Sequence, residues 1–166
     1  MTLSARIVLA AAAASAAVTA AHGELIYGVT QEQTLVTWES SAPGAILSGR
    51  AIAGLQVNEI IRGIDIRPAT GELYALGSFG NLNSINPMTG QATARGALNP
   101  GLNGSTFGFD FNPTVDRIRV VSDANQNLRV NPDTGATIVD GTLAYVAGDS
   151  GENSAPNVAA AGYTNS

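Results

Sequence analysis

Residues 108–135 read GFDFNPTVDRIRVVSDANQNLRVNPDTG, and residues 63–90 read GIDIRPATGELYALGSFGNLNSINPMTG, a weaker copy placed 45 positions earlier. The two copies and the residues that follow them align without gaps. Most identical residues fall at turns and strand starts, where a repeated backbone constrains residue type. The sequence therefore predicts a repeat protein. The identical pairs are Gly63 and Gly108, Asp65 and Asp110, Pro68 and Pro113, Asn86 and Asn131, Pro87 and Pro132, Thr89 and Thr134, Gly90 and Gly135, Gly96 and Gly141, and Leu98 and Leu143.

Each repeat predicts four short strands separated by turns. In the second copy the strands are GFDF, RIRVV, NLRVN and ATIVD, and in the first copy they are residues 60–66, 72–76, 81–86 and 91–95. Proline fixes φ within the turns, and Gly71, Gly90 and Gly135 are positions where we expect positive φ. Four strands in about 45 residues are typical of a β-propeller blade, so the predicted fold is all-β and propeller-like.

The predicted organisation is a single β-repeat domain over residues 22–166. It comprises a partial blade (22–62), two blades (63–107 and 108–152) and the start of another (153–166). The partial blade contributes strands at 25–30, 34–39 and 45–51 but lacks the opening G-x-D strand. Because a propeller needs at least about four blades, we expect an incomplete ring, truncated at the C-terminus. The alternatives are assembly of several copies, or an open row of sheets with exposed edges. No helix is expected after the first 21 residues.

Residues 1–21 have the pattern of a secretory signal peptide. Arg6 precedes an apolar run at 7–14 and then small residues, which predicts cleavage after Ala20 or Ala21. An uncleaved anchor is the alternative. Cleavage leaves seven arginines against thirteen acidic residues, a formal charge of −6, which argues against a nucleic-acid partner. We expect a secreted, periplasmic or cell-surface protein without a membrane span after cleavage.

Asp65 and Asp110 occupy the same position in successive repeats, on the innermost strand of each predicted blade. Carboxylates facing a central channel could hold a hard cation through oxygen ligands. In the alternative interpretation, each aspartate accepts hydrogen bonds from backbone or arginine groups of a neighbouring turn. Arg67, Arg117 and Arg119 are candidate charge partners.

Asp123, Asn125 and Asn127 form D-x-N-x-N, the opening pattern of a calcium loop. The sixth position is Leu128 rather than Gly and the twelfth is Thr134 rather than Glu, which excludes the helix-loop-helix calcium motif. A looser calcium site remains, and calcium is the only cofactor we consider. The alternative is a polar hairpin turn whose side chains mimic backbone turns.

The sequence predicts no catalytic residue and no cofactor-binding motif. His22 is the only histidine and there is no cysteine, so Ser/His/Asp catalysis and Cys-based or His-based metal sites are unavailable within the chain. The D-T-G sequence at residues 133–135 resembles the aspartic-protease motif, but the other repeat carries Met88 at the aspartate position, which favours a turn. No glycine-rich phosphate loop precedes a helix.

The motifs GIDIRPATGELYALG, GFDFNPTVDRIRVVSDANQNLRVNPDTG and AAGYTNS resemble a secreted bacterial family known only as a domain of unknown function. Its members carry GIDFRP, GFDFNP, DRIRV, NLRLNPDTG and AYTN in this order. The resemblance covers essentially everything after the signal peptide and implies a propeller-like all-β domain outside the cytoplasm, with no established reaction. Members of the family look longer than this chain and continue past AYTN. Gly162 stands where the family usually has Ala.

Three functions fit the sequence. The first is an extracytoplasmic binding or scaffolding module for a protein or small-molecule ligand. The second is a metal-assisted hydrolase or lyase of the propeller type, with Asp65 and Asp110 as metal ligands. In the third, the chain has no independent function because it cannot fold without further sequence.

Overall fold

The computed structural model describes residues 23–164, which form eleven β-strands arranged in three antiparallel sheets. The predicted signal peptide and His22 lie outside the described residues. Within residues 23–164 there is no helix, and therefore none long and apolar enough to cross a membrane. The all-β prediction is confirmed. The described sheets do not form a closed propeller, and the propeller interpretation stays a prediction.

Consecutive strands pair with each other in every sheet, so each sheet is a simple meander. The predicted strands occur with ends shifted by no more than about two residues. The first sheet contains β1 (Leu25–Val29), β2 (Thr34–Glu39) and β3 (Ile46–Ala51). The second contains β4 (Ile61–Ile66), β5 (Leu73–Gly77), β6 (Asn81–Ile85) and β7 (Ala92–Ala97). The third contains β8 (Phe107–Asn112), β9 (Arg117–Ser122), β10 (Asn127–Val130) and β11 (Thr137–Val139).

The second sheet is buried on both faces, and side chains of β5 alternate between two apolar cores. Leu73 and Ala75 belong to the core shared with the first sheet, whereas Tyr74 and Leu76 belong to the core shared with the third sheet. This alternation follows from the two-residue period of a strand. It explains why β5 is apolar throughout and is buried at every residue.

The third sheet packs an apolar face against the second sheet. Ile118 and Val120 of β9 are fully buried in the shared core. Arg117 and Arg119 alternate with them and therefore lie on the opposite face. We call this opposite face the outward face of the third sheet.

The P-x-T-G turns pack against the preceding sheet, and this packing explains why both repeats keep them. Gly90 and Gly135 have φ of +78° and +71°, as the sequence predicted. A Cβ atom at Gly90 would collide with the carbonyl oxygen of Ala51 at the end of β3. A Cβ atom at Gly135 would lie 2.8 Å from the amide nitrogen of Ala97 at the end of β7. Glycine is required at both turns by conformation and by space.

Candidate functional site

Asp65 joins the second sheet to the third. It lies on β4, the edge strand of the second sheet, beside β8, the edge strand of the third. The two strands approach closely at Gly63, where a Cβ atom would lie 2.6 Å from Cβ of Phe109. Phe111 N donates to Asp65 Oδ2 at 2.7 Å, and Ile66 N donates to Oδ1 at 2.8 Å. The carboxylate therefore satisfies a backbone donor that has no strand partner on that side.

Asp110 repeats this arrangement one sheet further along the chain. Tyr163 N donates to Asp110 Oδ2 at 2.6 Å. A Cβ atom at Gly108 would lie 2.5 Å from the amide nitrogen of Ala161. Residues 160–164 therefore lie against β8 much as β8 lies against β4, and Tyr163 takes the position of Phe111. The structure thus places both aspartates in the hydrogen-bonding role that the sequence offered as the alternative to metal binding.

The carboxyl groups of Asp65 and Asp110 are close enough for their charges to interact. Burial raises the pKa of Asp65 above the ordinary value of 3.8. The N–H of Phe111 opposes this rise, while Asp110 adds to it through its charge and through a hydrogen bond between the two carboxyl groups. Two adjacent carboxyls can share a proton or hold a cation between them. They are two of the five predicted metal ligands, and the structure brings them together.

Arg67 forms a second link between these sheets. Its Nε and Nη2 donate to the two carboxylate oxygens of Asp116 at 2.9 and 2.5 Å, and its Nη1 donates to Asp133 Oδ1 at 2.7 Å. Only 10% of the Arg67 side chain is exposed. These hydrogen bonds raise the pKa of Arg67 and lower that of Asp116. Arg67 thus pairs with two turns of the third sheet, and Asp133 of the D-T-G sequence forms a salt bridge.

Arg119 and Arg129 lie directly opposite each other on β9 and β10, with Asp140 between them. Arg119 Nη1 donates to Asp140 Oδ2 at 2.6 Å, and Arg129 Nη2 donates to Oδ1 at 2.7 Å. Like charges placed opposite each other in a sheet are destabilising, and Asp140 neutralises part of this repulsion. The hydrogen bonds from Arg129 and Arg119 lower the pKa of Asp140.

Within the D-x-N-x-N sequence, the side chains of Asp123 and Asn127 have separate partners, and Asn125 Oδ1 is buried without a hydrogen-bond partner in the described structure. Asp123 accepts hydrogen bonds from N and Oγ of Ser105 at 2.8 and 2.6 Å, and the Ser105 hydroxyl contributes most to lowering the pKa of Asp123. Asn125 adopts φ of +62° in the β9–β10 turn. Asn127 Oδ1 accepts from Arg119 Nη1 at 2.6 Å. Within residues 23–164, no three His, Cys, Asp or Glu side chains form a group suited to a metal ion.

Two grooves occupy equivalent positions on the second and third sheets. The groove on the third sheet, which we call the β9–β11 groove, has a volume of about 430 Å³. The groove on the second sheet, which we call the β5–β7 groove, has a volume of about 340 Å³. Four residues of the first groove have repeat equivalents in the second. Arg117, Arg129, Asn131 and Ile138 line the β9–β11 groove, and Glu72, Ser84, Asn86 and Thr93 take their places in the β5–β7 groove.

Comparison with known proteins identifies the family but no activity. A family model described as a domain of unknown function, DUF4394, matches residues 34–166. The chain belongs to this family. A search of the curated proteins gave no match.

The sequence analysis of this DUF4394 domain did not identify Arg129 and Asp140, which form salt bridges on the same face of the third sheet as Arg119. The available signal was the difference between the repeats, because Glu72 aligns with Arg117 and Arg95 aligns with Asp140. In the second sheet Arg95 Nη2 pairs with Glu72 Oε1 at 2.5 Å. Acid and base have therefore exchanged places between the two repeats.

Proposed function

We propose that this DUF4394 chain is part of a β-propeller that acts as a binding or scaffolding module outside the cytoplasm. The observation that supports it is a repeated hydrogen bond in which an aspartate accepts a backbone N–H of the segment that lies beside its strand: Phe111 of the third sheet donates to Asp65, and Tyr163 donates to Asp110. If every sheet made this contact with the next, each sheet would have the same offset from the last, which is how propeller blades are arranged. Further sheets would extend the row toward a ring.

A binding role agrees with how the polar residues are used. Asp65 and Arg67 have partners in the neighbouring sheet, and Asp110 bonds to residues 160–164, so all three hold the architecture together. Unlike these paired residues, polar side chains that line the grooves on the second and third sheets are open to a small molecule or a peptide. The partner is therefore a protein or a small-molecule ligand.

Hydrogen exchange tests the contact that supports the propeller arrangement. In the full chain the Tyr163 amide should exchange slowly, because its N–H is bonded to Asp110. D110A should accelerate this exchange, whereas D110N keeps an acceptor and should retain most of the protection. Fast exchange of Tyr163 in the unaltered chain would contradict the proposed continuation of the row.

Thermal-shift measurements test the binding function. The purified chain is heated with a panel of small anions, sugars and short peptides, each over a range of concentrations. A ligand at about 100 times its Kd adds about 2.7 kcal/mol of stability, which corresponds to a rise of several degrees in Tm. A saturable rise supports the proposal, and a flat response across the panel contradicts small-molecule binding.

Export is tested at the N-terminus. If residues 1–21 direct secretion, protein recovered outside the cytoplasm begins at Ala21 or His22. Mass spectrometry of the recovered protein measures this directly. Recovery of chains that still begin at Met1 would contradict cleavage.

A metal-assisted hydrolase or lyase is the second candidate, favoured by the adjacent carboxyls of Asp65 and Asp110. Calcium would take both carboxylates as ligands. Calorimetric titration of the full chain with calcium should then release heat, and D65N should abolish that heat. Absence of both heat and thermal shift in the unaltered chain would exclude calcium as the cofactor of this candidate.

A further inference from the structure

The outward face of the third sheet carries a surplus of positive charge near the β9–β11 groove. Arg117, Arg119 and Arg129 share this face, because they alternate with buried residues on neighbouring strands. Two carboxylates lie on the same face. Asp140 bonds to Arg119 and Arg129, and Asp110 accepts the N–H of Tyr163. This surplus is notable in a chain whose formal net charge is −5.

Arg117 supplies the unneutralised charge of the groove. Its Nη1 donates to the backbone carbonyl of Asp116 at 2.8 Å, and within the described part of the chain it forms no salt bridge. The nearby Asp116 carboxylate is bonded on both oxygens to Arg67. Most guanidinium donors of Arg117 are therefore open to a ligand in the groove.

The equivalent groove of the second sheet provides an internal comparison. There Glu72 replaces Arg117, and its charge is neutralised by Arg95, which also donates to Ser84 Oγ at 3.0 Å. The β5–β7 groove stays open although the third sheet packs against the second. A further sheet packed on the third would by the same geometry leave the β9–β11 groove open. The two grooves therefore differ in charge, but both stay open to a ligand when the next sheet is packed in place.

The walls of the β9–β11 groove define the rest of the ligand. Val115 and Ile138 line it and are 53% and 56% exposed. Asn131 and Thr137 add polar side chains between these apolar residues and the arginines. A guanidinium binds a carboxylate through paired hydrogen bonds, and the apolar residues gain from covering a hydrocarbon group.

We propose that the β9–β11 groove binds a small organic carboxylate that carries an apolar group, with Arg117 as its main charge partner. The proposal rests on the binding function proposed above and names its ligand class. A volume of about 430 Å³ lies within the range of small-molecule pockets. The β5–β7 groove, with its neutralised Glu72, does not bind this ligand.

Calorimetric titration of the full chain tests the proposal with three probes at low salt: sodium hexanoate, 1-hexanol and inorganic phosphate. Hexanoate should bind, whereas hexanol lacks the charge and phosphate lacks the apolar group, so both should bind at least about tenfold more weakly. R117Q should weaken hexanoate binding about tenfold or more, as expected for loss of a charge-assisted hydrogen bond. E72Q is the matched control in the other groove and should leave binding unchanged.

The outcomes separate the groove from the general binding function. R117K keeps the charge and should bind hexanoate more tightly than R117Q, which shows that the loss is not one of folding. Equal binding by R117Q and the unaltered chain, or equal binding of hexanol and hexanoate, overturns the groove assignment while the binding function stands. No heat from hexanoate overturns it as well, and only a flat response to the whole ligand panel contradicts small-molecule binding in general.

Discussion

Replacement of Asp65 separates its hydrogen bond from its charge. D65A and D65N both remove the carboxylate charge, but only D65N keeps an oxygen that can accept the N–H of Phe111, bonded in the native protein at 2.7 Å. Phe111 is 2% exposed, so its amide has little access to water when the acceptor is lost. An unsatisfied buried donor costs about 1–3 kcal/mol. We expect D65A to be less stable than D65N by this amount.

The hydrogen bond that Asp65 accepts stabilises the fold, whereas the negative charge of its carboxylate destabilises it. Burial, together with the neighbouring Asp110, raises the pKa of Asp65 in the folded chain. A raised carboxyl pKa contributes stability that is fully present below the unfolded value of 3.8 and is lost as pH rises through the folded pKa. D65N removes this loss. It should therefore match the unaltered chain at low pH and be equally or more stable at neutral pH.

Urea unfolding followed by far-UV circular dichroism, repeated from pH 3 to pH 8, measures both effects. The stability difference between D65N and the unaltered chain should grow with pH through the acid range and then level off. The difference between D65A and D65N should stay nearly constant, because neither variant titrates at this position. If D65N were as unstable as D65A at pH 7, the hydrogen bond to Phe111 would not be the contribution we assign to it.

Three further changes test two contacts between sheets and the charge pairs within the third sheet. R67A removes a buried guanidinium that bridges two turns, but the carboxylates it leaves are partly exposed, so the loss should be about 1–2 kcal/mol in urea unfolding. R62A, on the exposed side of β4, should cost less than about 0.5 kcal/mol. G135A should lower Tm further than G71A. Both glycines have positive φ, but only Gly135 lies against backbone atoms of the preceding sheet. An equal loss of Tm in the two variants would contradict this packing. D140N should lower Tm at neutral pH and low salt, with the difference shrinking as salt rises or as pH falls through the lowered pKa of Asp140. A salt-independent difference would argue against a charge effect.

The strands and turns could be predicted because their causes are local. β2 was expected at residues 34–39 and is found there, since branched and aromatic residues alternate between two turns. Gly71, Gly90 and Gly135 adopt the positive φ expected from their positions in the turns. Comparison of the two repeats also indicates that Gly90 and Gly135 belong to the backbone pattern rather than to a ligand site.

The partners of the charged side chains could not be predicted, because they depend on how sheets meet. Arg67 bonds to Asp116 and Asp133, which are 49 and 66 residues away, and no local pattern encodes either distance. The exchange of acid and base between Glu72 and Arg95 in the first repeat and Arg117 and Asp140 in the second is visible in the sequence. Its meaning depends on the three-dimensional arrangement, because Asp140 pairs with Arg119 and Arg129 rather than with Arg117.

The position of Asp65 and Asp110 has a consequence for solubility. β4 and β8 are edge strands, and edge strands with free N–H groups can recruit strands of other molecules. Each aspartate lies beside such an edge and bonds to the backbone of the next segment of its own chain. A foreign strand would have to place its carbonyl groups where these carboxylates already are. Asp65 therefore protects the edge of β8 against pairing with a foreign strand.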